Sequence, residues 1–238
     1  MKGYIEDKEF GKIIVELRRG MTKVRFAFRP DGTLTVRAPL GVSAECVLDA
    51  IERNREAIRQ LAAKSPSPQL HVGQEIACYK CKVVIETQQT HPGYVLSRIG
   101  DDGTVCHVLV HEQADVASPR VQRTVSTVIG RMMAVQAERH LLPLAAEVAK
   151  GLGLKPAGIE VGRGMRKLGH CTRSKVIQLS RNLMFMPEVL IRYVICHELA
   201  HLTHMNHSPE FHALCNQYCG GKEKELEQQL RQFIFPIL

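Results

Sequence analysis

The sequence predicts an α+β chain: an N-terminal antiparallel β-meander with a covering helix, then a mainly helical region with a small sheet. Three observations carry this. Up to about residue 116, short runs alternate apolar and polar residues between turn signals. From residue 117 on, apolar positions recur mostly at helical spacing. Charge changes with the pattern: residues 1–117 carry 16 Lys+Arg against 15 Asp+Glu, and residues 118–238 carry 16 against 9. The expected division is therefore 1–116, a β-rich α+β region, and 117–238, a second domain.

The first elements follow in order. Lys12 to Arg18 reads as a strand, and 22–28 as another, with Val24, Phe26 and Phe28 alternating with polar or small residues. Pro30-Asp31-Gly32 is a turn signal, and Leu34-Thr35-Val36-Arg37 returns as a third strand. Gly41 and Ser43 open a helix with Ser43 as N-cap; Val47, Leu48, Ile51, Ile58 and Leu61 form its apolar stripe. Ser65-Pro66-Ser67-Pro68 is a stiff linker. Strands follow at about 75–86, 93–99 and 104–111, with a hairpin turn at Asp101-Asp102-Gly103. Cys78 and Cys81 have zinc-ligand spacing, but no second cysteine pair stands downstream, so buried thiols are the expectation.

The second half begins with Ser118 as a cap and Pro119 at the first helical position. The helix runs to about Gly151, with Pro143 expected to kink it or to start a new one. Short strands are expected at Ile159–Val161 and Val176–Ser180. Between them lies a basic loop with Arg163, Arg166, Lys167, Arg173 and Lys175. Such a loop is ordinarily a solvated surface; it can also attract an acidic substrate or nucleic acid. Pro187 starts a helix, Ser208-Pro209 caps and starts another, and Glu223 to Phe233 forms the last.

The composition bounds the chemistry. A chain of 238 residues can bury a real core. No run approaches a membrane span, and Met1 to Asp7 lacks the apolar core of a signal peptide. The expectation is a cytoplasmic protein whose eight cysteines stay largely as thiols.

The chemistry concentrates in His197-Glu198-Leu199-Ala200-His201. Residues i and i+4 share a helix face, so His197 and His201 can grip one zinc ion, and Glu198 can act as general base toward a metal-bound water. Catalytic zinc sites usually take three protein ligands. His204 and His207 compete for the third place; His204 lies ~10.5 Å along a straight helix from His197, so one zinc held by His197 and His201 is hard for it to reach. Asn206 can close the helix in a left-handed conformation, and His207 then sits in a corner that swings back to the metal. His207 is the expected third ligand. The oxyanion of an amide hydrolysis needs a further partner, for which Lys167, His170 and Tyr193 are the candidates. Tyr193, four residues before His197, serves equally as helix packing.

These stretches together resemble the YgjP-like family of zinc-dependent metal hydrolases. The resemblance rests on Lys167-Leu168-Gly169-His170-Cys171, the strand Val176 to Ser180, Leu183, Pro187, the paired histidines, Asn206-His207-Ser208 and Phe211. It implies a zincin-like metallopeptidase core, with the third-ligand histidine falling on His207, and a peptide or protein substrate. It also implies kinship with SprT-like proteases, which act on proteins bound to DNA. Leu168 stands where the family has Trp, His170 where it has Ser, and His212 where a Trp usually follows the aromatic; these changes fall on the expected wall of the site. A competing expectation is a binding module, nucleic-acid associated, with structural zinc. The intact Glu198 argues against it, since a closed structural site has no use for a general base.

Overall fold

The computed structural model describes residues 2–28, 33–64, 69–162 and 167–237. The expected turn at Pro30-Asp31-Gly32, the linker Ser65 to Pro68, and Arg163 and Arg166 of the basic loop lie outside these residues. Contacts group the chain into two units, 1–70 with 117–123 and 237–238, and 71–116 with 124–236. The strands expected at 75–111 thus belong with the C-terminal helices.

In the first unit, strands β1 (Lys2–Asp7), β2 (Gly11–Arg18), β3 (Arg25–Phe28) and β4 (Leu34–Pro39) form one sheet in the order β1-β2-β4-β3. β1 pairs antiparallel with β2 and β3 antiparallel with β4, but β2 and β4 run parallel. The sheet is therefore mixed, not the antiparallel meander that the sequence suggests. β3 crosses to the outer side of β4, so the central pair joins strands that are not consecutive. β1 was not expected; Lys2 to Asp7 has little apolar content to signal it. Period-2 burial sends Ile13, Val15, Leu34, Val36 and Ala38 to one face, against Val47, Ile51 and Ile58.

The covering helix is broken in two, α1 (Ala44–Arg53) and α2 (Arg55–Lys64), at Asn54, whose side chain bonds back to the Ala50 carbonyl at 2.8 Å. Ser43 caps α1, its Oγ accepting from Cys46 N–H at 3.2 Å. Leu48, expected in the apolar stripe, is 41% exposed.

In the second unit, β5 (Glu75–Cys78), β6 (Cys81–Gln88), β7 (Val95–Ile99) and β8 (Val105–His111) form a sheet in the order β5-β6-β8-β7. The single strand expected over 75–86 is a hairpin. Tyr79 and Lys80 make its turn, Lys80 at φ +57°, and Cys78 and Cys81 become cross-strand partners on one face. The helix α3 (Pro119–Gly151) runs unbroken through Pro143. Gly153, at φ +70°, closes it, while Leu154 N–H returns to the Ala149 carbonyl at 2.9 Å.

A three-stranded sheet then carries the candidate site. β9 (Gly158–Gly162) pairs parallel with β11 (Val176–Ser180), and β10 (Gly169–Cys171) pairs antiparallel with β11 at the sheet edge. β10 falls inside the stretch expected to be a loop. A short 3-10 turn (Arg181–Phe185) leads to α4 (Glu188–Ala200), then α5 (Pro209–Tyr218) and α6 (Glu223–Gln232). α4 contacts α5, α6, β10 and β11. No helix among the described residues is long and apolar enough to cross a membrane.

Candidate metal centre

α4 is central to this region because nine of its 13 residues are buried, including Ile191, Val194, Ile195 and Leu199. Apolar residues occupy most of its circumference, so the polar groups it carries are held in a closely packed setting. His197 and His201 leave α4 one turn apart, with ring centroids 5.0 Å from one another. The helix ends at Ala200, with His201 as C-cap, and not at Asn206 as expected. Three successive turn bonds replace it: Leu202 N–H to Leu199, and Thr203 and His204 N–H both to Ala200. No left-handed residue is needed there, and Asn206 is not one.

This tight turn brings His207 back. Ser208 then caps α5, its Oγ accepting from Phe211 N–H at 3.4 Å, with Pro209 as first helical residue. His197 Nε2 and His207 Nε2 lie 3.1 Å apart, and one ligand nitrogen from each of His197, His201 and His207 falls within 4.8 Å of the others. Three imidazole nitrogens at ~2.0–2.1 Å from a tetrahedral zinc stand roughly 3.3 Å from each other. The cluster fits such an ion with little movement.

The surroundings fix the ring orientations. His201 Nδ1 lies 2.9 Å from the His204 carbonyl, so that nitrogen carries the proton and Nε2 is left with a lone pair. His204 therefore contributes its backbone. Phe211, wholly buried, stacks on His201 at 4.4 Å and 27°, and meets His197 and His207 edge-on at 4.9 and 4.8 Å. Burial, reinforced by the neighbouring imidazoles, pushes His197 down to about 4. Burial also lowers His201. Both rings are neutral at neutral pH, the form that coordinates a metal.

Glu198 turns toward β10. Leu168 accepts from Ser180 N–H, and Thr172 N–H donates to Val176, so the even-numbered residues bond β11. The odd-numbered Gly169 and Cys171 turn their backbone groups outward. Glu198 is 6% exposed, and burial raises its carboxyl to about 7; the Cys171 N–H and the Lys167 ammonium oppose that rise. Gly169 is required here: a Cβ at that position would stand 2.5 Å from Glu198 Oε1 and 2.6 Å from its Cγ.

The other expected residues divide into two groups. Lys167 is exposed and close enough to act on Glu198; His170, also exposed, acts on His201. Tyr193 is 5% exposed, set edge-on to His197 at 6.2 Å. Burial and nearby Cys215, Cys219, Glu223 and Glu227 raise its phenol. His212 sits at the rim, 6.2 Å from the His207 ring, and its Nδ1 lies 2.7 Å from the buried Glu223 carboxylate. Sequence reasoning missed Gly169, the Cys171 N–H and the His212–Glu223 pair. Only Gly169, inside the Lys167-to-Cys171 segment, left a signal.

A family model described as YgjP-like, metallopeptidase domain matches residues 22–233. No curated protein and no solved structure matches the chain.

Proposed function

The chain belongs to the YgjP-like metallopeptidase family, and from that premise we propose that it is a zinc-dependent peptidase that cleaves a peptide or related amide bond. The convergence of His197, His201 and His207, with Glu198 beside the first of them, is the observation that carries this reading. All three ligands are imidazoles and no thiolate joins them among the described residues, which suits a catalytic zinc with an open position better than a closed structural one. Zinc bound there supplies Lewis acidity that polarises the scissile carbonyl and lowers the pKa of water.

The remaining work falls to the chain. Glu198 takes a proton from the attacking water and delivers it to the leaving amine; a carboxyl poised near neutrality suits both transfers. The Cys171 N–H and the steric wall of Gly169 orient that carboxylate. Lys167, just before β10, and His170 within it, both exposed, are assigned to the substrate carbonyl and its developing negative charge. Tyr193, shut in among α5 and α6 residues, is assigned to support of the His197 ring.

The test is Glu198→Gln, read by zinc content and by cleavage of casein or a peptide library. Zinc content is expected to hold while cleavage falls by roughly 10²–10⁴. Full cleavage with zinc retained would remove Glu198 from its role.

A further inference from the structure

The first unit contains a group of cations that is only partly neutralised among the described residues. Arg18 at the end of β2, Thr22 and Lys23 in the connection, Arg25 opening β3 and Arg37 in β4 line one cavity of about 350 Å³. Arg25 and Arg37 are register partners on antiparallel strands. Their Cβ atoms are therefore ~5 Å apart on one face, and like charges so placed cost stability. Arg37 is also the register partner of Glu16, with its Nε 3.5 Å from Glu16 Oε2; Arg18 Nη2 reaches the same oxygen at 2.9 Å. Glu16 is 7% exposed. One shielded carboxylate thus holds two guanidinium groups in place but cannot balance four cations. Among the described residues, Lys23 and Arg25 have no acidic partner within ion-pair distance. The same unit treats its helical arginines differently: Arg53, Arg55 and Arg59 are all paired with acids. Four cations around one carboxylate, two of them with no ion pair among the described residues, leave an excess of positive charge that an anion from outside can balance.

We propose that this cavity binds a small phosphorylated anion, of the class of inorganic triphosphate or a nucleoside polyphosphate, through Lys23, Arg25 and Arg37. A guanidinium fork matches phosphate oxygens two at a time, and three arginines with one lysine suit a chain of phosphates. Glu16 holds Arg18 and Arg37 in advance, which reduces the ordering cost of binding. Gly20, at φ +77°, makes the sharp turn after β2 that sets Thr22 and Lys23 on the rim. The volume falls in the range of small-ligand sites. The site uses no residue of the histidine cluster.

The test titrates the full chain, labelled with ¹⁵N, with inorganic triphosphate, with ATP and with citrate as a non-phosphate trianion. Triphosphate and ATP are expected to shift the amides of residues 18–25 and 37 saturably. A larger response to ATP identifies a nucleotide as the source of the phosphates, and an equal one identifies the bare polyphosphate. The variant Lys23→Gln/Arg25→Gln is expected to weaken both by at least 10-fold. It should also melt at or above the wild-type temperature without ligand, because a repulsion has been removed. Triphosphate should raise the melting temperature of the wild type and leave that of the variant in place. Citrate binding as tight as triphosphate, or shifts confined to the histidine cluster, would overturn the proposal. So would a variant that melts lower without ligand, since Lys23 and Arg25 would then be structural. A single-stranded oligonucleotide that binds more tightly than ATP, and is lost in the same variant, would overturn the small-ligand assignment.

Discussion

Asp7 and Glu198 are both carboxylates largely shielded from solvent, and their surroundings push them in opposite directions. Asp7 accepts two bonds from Arg55, at 3.2 and 3.1 Å, and two more from the Glu9 and Phe10 N–H groups at 2.9 and 3.0 Å. The Arg55 guanidinium holds its carboxyl at about 2. Among the described residues Glu198 accepts from the Cys171 N–H and has no guanidinium at bonding distance, and burial lifts it to about 7. The histidines beside it are pushed the other way by the same burial. Around Asp7, where the chain supplies the counterion, the groups stay charged and pin β1 to the helical layer. Around Glu198 the imidazoles are neutral and the carboxyl is only partly ionised, in a setting that a cation from outside would shift. A polar cluster left without a balancing charge among the described residues is thus readable as a site.

The sharpest way to break this comparison is to remove one metal-facing imidazole. His207→Ala is expected to weaken zinc binding by more than ~100-fold, beyond the loss usual for a supporting residue, and to abolish peptide cleavage. Far-UV circular dichroism should not change, because His207 is exposed and outside the core. Zinc retained at wild-type affinity would mean that the three rings converge for another reason.

Gly169→Ala is expected to rank next. The new methyl group must displace Glu198 from β10, since the Cβ would meet both its carboxylate and its Cγ. A carboxylate moved by ~1 Å loses on the order of 10²-fold in rate. Zinc affinity, measured by competition with a chelator, should stay within a few-fold. Unchanged cleavage would show that the close approach of β10 has no bearing on Glu198.

Stability against pH separates the two carboxylates directly. The folded-state pKa of Asp7 is below its ordinary 3.8, so its contribution is present above that value and is lost as pH falls toward about 2. Asp7→Asn should flatten the stability curve between pH 4 and 2. Glu198 is raised above its ordinary 4.5, so in the metal-free chain stability is present below that value and lost as pH rises through about 7. Glu198→Gln should therefore stabilise the metal-free chain at pH 8, by on the order of 2 kcal/mol, and do nothing at pH 4. Urea denaturation at each pH measures both. The same sign of pH dependence for the two variants would defeat the comparison.

The legible parts of the fold were those written in local periodicity. β4, β11, α5 and α6 appear close to where alternation, capping residues and Ser208-Pro209 indicate. His207 was reachable because Ser208-Pro209 starts the next element beside it, although the break expected at Asn206 falls at Ala200. What escaped depends on partners distant in sequence. β10 has three residues, one of them glycine, and exists because β11 and α4 flank it. The parallel pairing of β2 and β4 leaves no mark in either strand's own pattern. The Tyr79-Lys80 turn puts a lysine where a glycine would have signalled positive φ. The helix end at Ala200 is coupled to the contact of His201 with the His204 carbonyl, which no propensity encodes.

The smallest expected effect concerns how helices are held in the two regions. α1 buries two of its ten residues, so it relies on local terms, and its Ser43 side chain accepts the Cys46 N–H. α4 has Pro187 at its N-cap with no side-chain bond, and is held by burial of most of its length. Ser43→Ala should cost about 1 kcal/mol, the usual value of such a cap, and leave zinc binding and cleavage unchanged. Pro187→Ser would give α4 a capping group that tertiary packing has made redundant, and is expected to gain no more than a few tenths of a kcal/mol. A silent Ser43→Ala together with a strongly stabilising Pro187→Ser would reverse the contrast, making α4 the helix that depends on its own ends.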